Sequence, residues 1–175
     1  MDGQPLFESE RLVFSTWTPD QLEDVFRLHD DEEVGRYLMG RAETREDAQK
    51  RMNEWAKHYA KFGFCKFRLT RKSDGAFIGR AGFGTHGPEN TPELGYAILR
   101  SEWRKGYASE AAIAIRDWLF RETDHDFCWG FAYSANTPSI KILRSIGMEF
   151  THTEIEPETN QELTFHKYTR DMWHG

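Results

Sequence analysis

The sequence predicts one α+β domain spanning residues 1–175, with a single mixed, mostly antiparallel sheet of about seven strands flanked by helices. Three observations carry that expectation. Residues 64–99 contain three short β-rich runs separated by turn signals, the pattern of antiparallel neighbours. A helical pattern from 106 to 122 then leads to another β-rich run at 127–133, and such a crossover joins parallel strands. Two more strands close the chain around an acidic turn.

Taken in order, residues 11–17 (RLVFSTW) alternate and are rich in β-branched and aromatic side chains, so they read as a strand. Thr18-Pro19-Asp20-Gln21 is a helix start, with Thr18 as cap, Pro19 in the first turn and Gln21 able to reach back. Leu22, Val25, Phe26 and His29 follow on one helical face, and a short helical segment is expected at 32–38. Thr44 opens a longer helix; Ala48, Met52, Trp55 and Tyr59 form its apolar stripe and Gly63 ends it. Strands are expected at 64–71, 76–84 and 93–99, with Ser73-Asp74-Gly75 turning the first pair. Ala108, Ala111, Ala112, Ile115 and Leu119 mark one face of the next helix. Asn136 caps another, which runs to about Ser145 and is closed by Gly147. The last strands lie near 148–155 and 162–170, and Glu154, Glu156, Glu158 and Glu162 there read as a solvated turn.

Composition narrows the function. A formal charge of −6 and a pI near 5.7 do not supply the basic surface that nucleic-acid phosphates require, so no nucleic-acid partner is expected. A negative field favours cationic partners such as amines. No apolar run reaches the roughly 20 residues of a membrane span, and the first residues lack the basic-then-apolar order of a secretion signal. The expectation is a cytoplasmic chain with no membrane association. Cys65 and Cys128, far apart and outside any CxxC pair, fit a reduced compartment. The seven histidines show no ligand spacing, so no metal is expected.

Residues 93–111 carry the chemistry. They read as a strand, a tight turn and a helix that opens with small residues. The first N–H groups of a helix have no intrahelical partner. With the helix dipole they make an anion site that does not depend on basic side chains. Gly106 would let the backbone approach a phosphate closely, and Ala108 would keep the first turn clear. On that fragment alone, an ordinary loop with an unusual backbone angle at Gly106 explains the residues equally well.

With its neighbours, the segment resembles the pyrophosphate-binding motif of the GNAT acetyltransferases, Arg/Gln-x-x-Gly-x-Gly/Ala, with Gly106 and Ala108 at the small positions. Trp103 stands where Arg or Gln is usual. The form Trp-x-x-Gly-Tyr-Ala-x-Glu-Ala, here Trp103 to Ala111, is similar to the Rim-type branch, related to ribosomal-protein N-terminal acetyltransferases. Further stretches resemble the same branch. They are Ser9-Glu10-Arg11-Leu12 with Trp17, residues 31–38, residues 77–83, and Asn136-Thr137-Pro138-Ser139 with Ile146-Gly147-Met148.

The resemblance implies the GNAT fold, with parallel strands 93–99 and 127–133 splayed around the pantetheine arm of acetyl-CoA, the co-substrate. Backbone groups around Ala97 and Ile98 would hold that arm, and Trp103, Arg104, Lys105, Gly106, Tyr107, Ala108 and Ser109 the pyrophosphate. Exposed donors near Ile98 would face the oxyanion. A primary amine would attack the thioester directly, with Glu93 as candidate base and Ser139 as candidate partner of the leaving sulfur. Asn136 lies beside the cleft, either as a helix cap or as a cofactor contact. Many relatives carry a tyrosine acid seven residues beyond the asparagine, where this chain has Leu143. The acceptor is left open between a protein N-terminus and a small-molecule amine. Homodimers are common among relatives, and no segment here marks an interface. The alternative is a non-catalytic acyl-CoA-binding or sensor protein of the same fold, which would keep the Gly106 turn and lose the acid–base groups.

Overall fold

The computed structural model describes residues 2–38, 41 and 44–175. Its strands are β1 (Pro5–Glu8), β2 (Leu12–Ser15), β3 (Lys66–Arg71), β4 (Phe77–His86), β5 (Thr91–Ile98), β6 (Phe127–Tyr133), β7 (Glu149–Ile155) and β8 (Glu162–Thr169). They form one sheet in the order β1-β2-β3-β4-β5-β6-β8-β7. Every neighbouring pair is antiparallel except β5 and β6. Seven of the strands match the sequence reading. The eighth, β1, is too short and too exposed to show an alternation, yet it is held by Phe7, which stacks on Phe14 at 4.3 Å and on Trp118 at 5.3 Å.

The helices are α1 (Leu22–Asp30), α2 (Glu32–Gly35), α3 (Arg45–Phe62), α4 (Tyr107–Glu122) and α5 (Thr137–Ser145). Their ends follow local chemistry. Gln21 accepts the Thr18 N–H at 3.0 Å, but Pro19–Gln21 form a 3-10 turn ahead of α1 rather than its first turn. The Thr44 hydroxyl accepts the Asp47 N–H at 3.1 Å, and Gly63 ends α3 at φ 77°, a left-handed angle that suits glycine. The segment expected at 32–38 contracts to the single turn of α2.

Alternation along β3 sorts these helices into two layers. Arg68 pairs with Asp24 of α1 at 2.6 Å, whereas Phe67 meets Trp118 of α4 with ring centroids 5.4 Å apart. Trp17 and Trp55 stack at 5.2 Å beneath α3, and Ala111, Ala112, Ile115 and Leu119 bury the inner face of α4. Burial pushes the thiols of Cys65 and Cys128 up to about 12, and both are free. No helix among the described residues is long and apolar enough to cross a membrane.

The start of α4 is tied to the β1–β2 hairpin through Glu110. Its carboxylate accepts from the Ser9 hydroxyl at 2.6 Å, from the Arg11 N–H at 2.7 Å and from Arg11 Nε at 2.6 Å. Arg11 also donates to the Lys105 carbonyl at 2.9 Å and lies 4.5 Å from the Tyr107 ring centre. Burial works against ionisation of Glu110, but the bonds from Ser9 and Arg11 outweigh it and hold the carboxyl below its ordinary value. A depressed carboxyl contributes stability above its unfolded pKa of about 4.3 and loses it as pH falls through the folded value. Glu110→Gln should therefore lower stability at pH 7 by about 1–2 kcal/mol, Arg11 being partly exposed. Urea melts of both proteins should show that gap narrowing below about pH 4.

Candidate active site

A sheet can open where a parallel ladder stops. β5 and β6 share register only at Glu93↔Trp129 and Leu94↔Gly130, after which they part. The opening forms a cleft of about 660 Å³, lined by both strands, the α4 start, α5 and part of α2. The Leu99 N–H bonds to the Ile78 carbonyl at 2.9 Å. Strand alternation then turns the backbone of Leu99, Ala97 and Gly95 towards β4, and that of Ile98 and Tyr96 towards the opening. Ala97, expected to contribute backbone groups, thus lines the cleft without aiming its peptide there. The Ile98 carbonyl already accepts the Trp103 indole N–H at 2.8 Å.

The loop at the cleft mouth has unusual backbone angles. Arg104 sits at φ 62° and Gly106 at φ 83°, directly before Tyr107 begins α4. Among the described residues, the amides of Arg104 to Ser109 have no backbone acceptor, while the Trp103 amide bonds to the Arg100 carbonyl. These free donors at the start of a four-turn helix are the arrangement that receives an anion. Trp103, Arg104, Gly106, Tyr107, Ala108 and Ser109 all line the cleft. Lys105 does not; its ammonium pairs with Glu102 at 3.0 Å, and Glu102 also receives Arg71 at 2.9 Å.

Glu93 and Ser139 stand on opposite sides of the sheet. The Glu93 carboxylate meets Lys66 Nζ at 2.8 Å, with both side chains largely buried. Burial lowers the Lys66 pKa, and the neighbouring Glu93 charge opposes that shift. A Cβ on Gly95 would come within 2.5 Å of Lys66 Nζ, so glycine makes room for the pair. On the other side, the Tyr96 hydroxyl lies 2.9 Å from Ser139 Oγ and bridges β5 to α5. Burial is the main reason its pKa rises to about 12, with the Ser139 bond opposing. Asn136 Oδ1 accepts the Ser139 N–H at 3.3 Å, which makes it a helix cap as well as a cleft residue. Leu143 is buried against the cleft.

The sequence reading missed Lys66, Arg80 and Tyr96, all of which line the cleft. Alternation on β3, β4 and β5 was the available signal: Lys66, Arg80 and Glu93 fall on one face through their register. No group of three or more His, Cys, Asp or Glu that could hold a metal ion occurs among the described residues.

Comparison with known proteins agrees with this geometry. A family profile described as "Acetyltransferase (GNAT) domain" matches residues 11–149. The uncharacterized N-acetyltransferase YnaD of Bacillus subtilis (strain 168) is 28% identical over 140 residues, 80% of each chain. A GNAT-family acetyltransferase from Bacillus anthracis superposes with a TM-score of 0.82 at 24% identity, covering 94% of this chain and 98% of that one. RimL, a ribosomal-protein alpha-N-acetyltransferase solved in complex with coenzyme A, gives 0.81 at 13% identity, covering 97% of this chain and 100% of that one. Those two likenesses show a shared fold. The splayed strand pair, the open helix start and the matched profile together place this chain in the GNAT acetyltransferase family.

Proposed function

We propose that this chain transfers the acetyl group of acetyl-CoA to a primary amine by direct attack on the thioester. The observation that carries this reading is the row of free amides from Arg104 to Ser109 at the mouth of a cleft that runs between β5 and β6. Those amides would hold the pyrophosphate, and the inward-facing backbone of Tyr96 and Ile98 the pantetheine arm. Acetyl-CoA supplies an activated acyl group.

The chain's own residues divide the proton chemistry across the sheet. An amine has a pKa of about 8 at a chain terminus and about 10 on lysine, so it arrives protonated at neutral pH. Glu93, largely buried on the α1–α3 side, accepts that proton directly or through water. The leaving thiol, with a pKa of about 8.5 if it behaves as cysteine, needs only a weak donor. Tyr96 and Ser139 place two linked hydroxyls on the α5 side and fill the role of the tyrosine that Leu143 lacks. This hydroxyl pair favours an enzyme over a non-catalytic acyl-CoA sensor. RimL acts on the N-terminus of a ribosomal protein, which supports a peptide as one acceptor class, with a small-molecule amine as the other.

Acetyl-CoA should raise the melting temperature, because a ligand of the native state stabilises it by mass action. Thiol release with amines and short peptides then reads the activity; no stabilisation at millimolar acetyl-CoA would remove the reading. Gly106→Val should abolish most of that thermal shift, since φ 83° is strained for a β-branched residue at the point where the cofactor backbone contact forms. Glu93→Gln should lower kcat about 10²-fold and keep the acetyl-CoA shift. Tyr96→Phe should lower kcat about tenfold, with the loss growing as pH rises and the supply of solvent protons falls; an unchanged pH–rate profile would take Tyr96 out of the mechanism.

A further inference from the structure

We propose that the acceptor carries a carboxylate near its amine and that Arg80 reads it, a proposal that rests on the acetyl-transfer reading. Arg80 is 8% exposed, lines the cleft, and has its Nε buried without a hydrogen-bond partner among the described residues. The ring of Trp55 flanks its guanidinium at 5.6 Å.

The neighbouring charges show why Arg80 is left over. In register it stands between Arg68 on β3 and Ala97 on β5, on the face that also carries Lys66 and Glu93. Arg68 is taken by Asp24 at 2.6 Å, and Lys66 by Glu93 at 2.8 Å. Arg51, whose charge also reaches Arg80, pairs with Glu54 at 2.9 Å. His29, on α1, is held neutral chiefly by burial and then by Arg80, with a pKa of about 3. Burial draws the Arg80 pKa down to about 10, with Glu93 opposing, so the guanidinium stays charged at neutral pH. Two cations therefore face one carboxylate in a largely buried wall of the cleft.

A buried cation without a partner is costly. A simple ammonium acceptor would leave that cost in place and add repulsion. A zwitterionic acceptor matches both sides: its ammonium goes to Glu93, and its carboxylate meets the planar donor fork of Arg80. The carboxylate has two chemical sources, the α-carboxylate of a free amino acid or the acidic side chain of an N-terminal peptide residue.

Paired acceptors test this with acetyl-CoA and thiol release. Free amino acids are compared with their amides, and dipeptide amides beginning with aspartate with those beginning with asparagine. In at least one pairing the carboxylate form should show a kcat/KM about tenfold or more higher, mainly through KM. A split in the first pairing identifies a small amino acid, and a split in the second an acidic N-terminus. Arg80→Gln should erase the preference while keeping the acetyl-CoA thermal shift, and Arg80→Lys should retain part of it. Equal use of both members by the wild type, turnover confined to acceptors without a carboxylate, or an intact preference in Arg80→Gln would overturn the proposal. A wild-type protein that acetyl-CoA does not stabilise would instead overturn the acetyl-transfer reading beneath it.

Discussion

Peptide groups released from a β-ladder need other partners, and in this chain that requirement organises everything around the cleft. β5 keeps its full antiparallel bonding to β4 but loses β6 after Leu94. The backbone freed on that side is partly closed by the protein itself, through the Trp103 indole on the Ile98 carbonyl. The rest stays open beside a helix start whose own amides are free. A ligand with an amide-bearing arm and an anionic end answers both demands at once. The strands can hold this shape because each is anchored on its outer side, β5 by β4 and β6 by β8.

The charges follow the same geometry. Because side chains alternate across a strand, Glu93 and Tyr96, three positions apart, emerge on opposite faces. One opening thus has an ionised wall, with Lys66, Arg80 and Glu93, and a hydroxyl wall, with Tyr96 and Ser139. Gly95 lies between them and carries no side chain that would crowd Lys66.

Much of this was legible from residues alone. Gly106 and Ala108 marked the turn into α4 because helix-start chemistry is local. Thr44, Gly63 and Asn136 gave correct helix ends for the same reason. The walls of the cleft were harder to read. Tyr96 becomes a neighbour of Ser139 only when β5 and α5 meet, 43 positions apart in the chain. Lys66 and Arg80 lie within expected strands, but only the register sets them opposite Gly82 and Ala97 under the α1–α3 layer. The β1 strand was missed because its support comes from Phe14 and from Trp118 on a distant helix.

The tie between Glu110 and the first hairpin has a consequence for how the chain assembles. Ser9 and Glu110 are separated by 101 positions, so closing that contact costs more loop entropy than closing a local hairpin. During synthesis, the hairpin emerges long before the helix that seats it, and its outer strand lacks that seat until α4 has been made. The same contact seats the helix start and the sheet edge, so a chain that lacks it would have most of its strands paired and the mouth of its cleft unsupported.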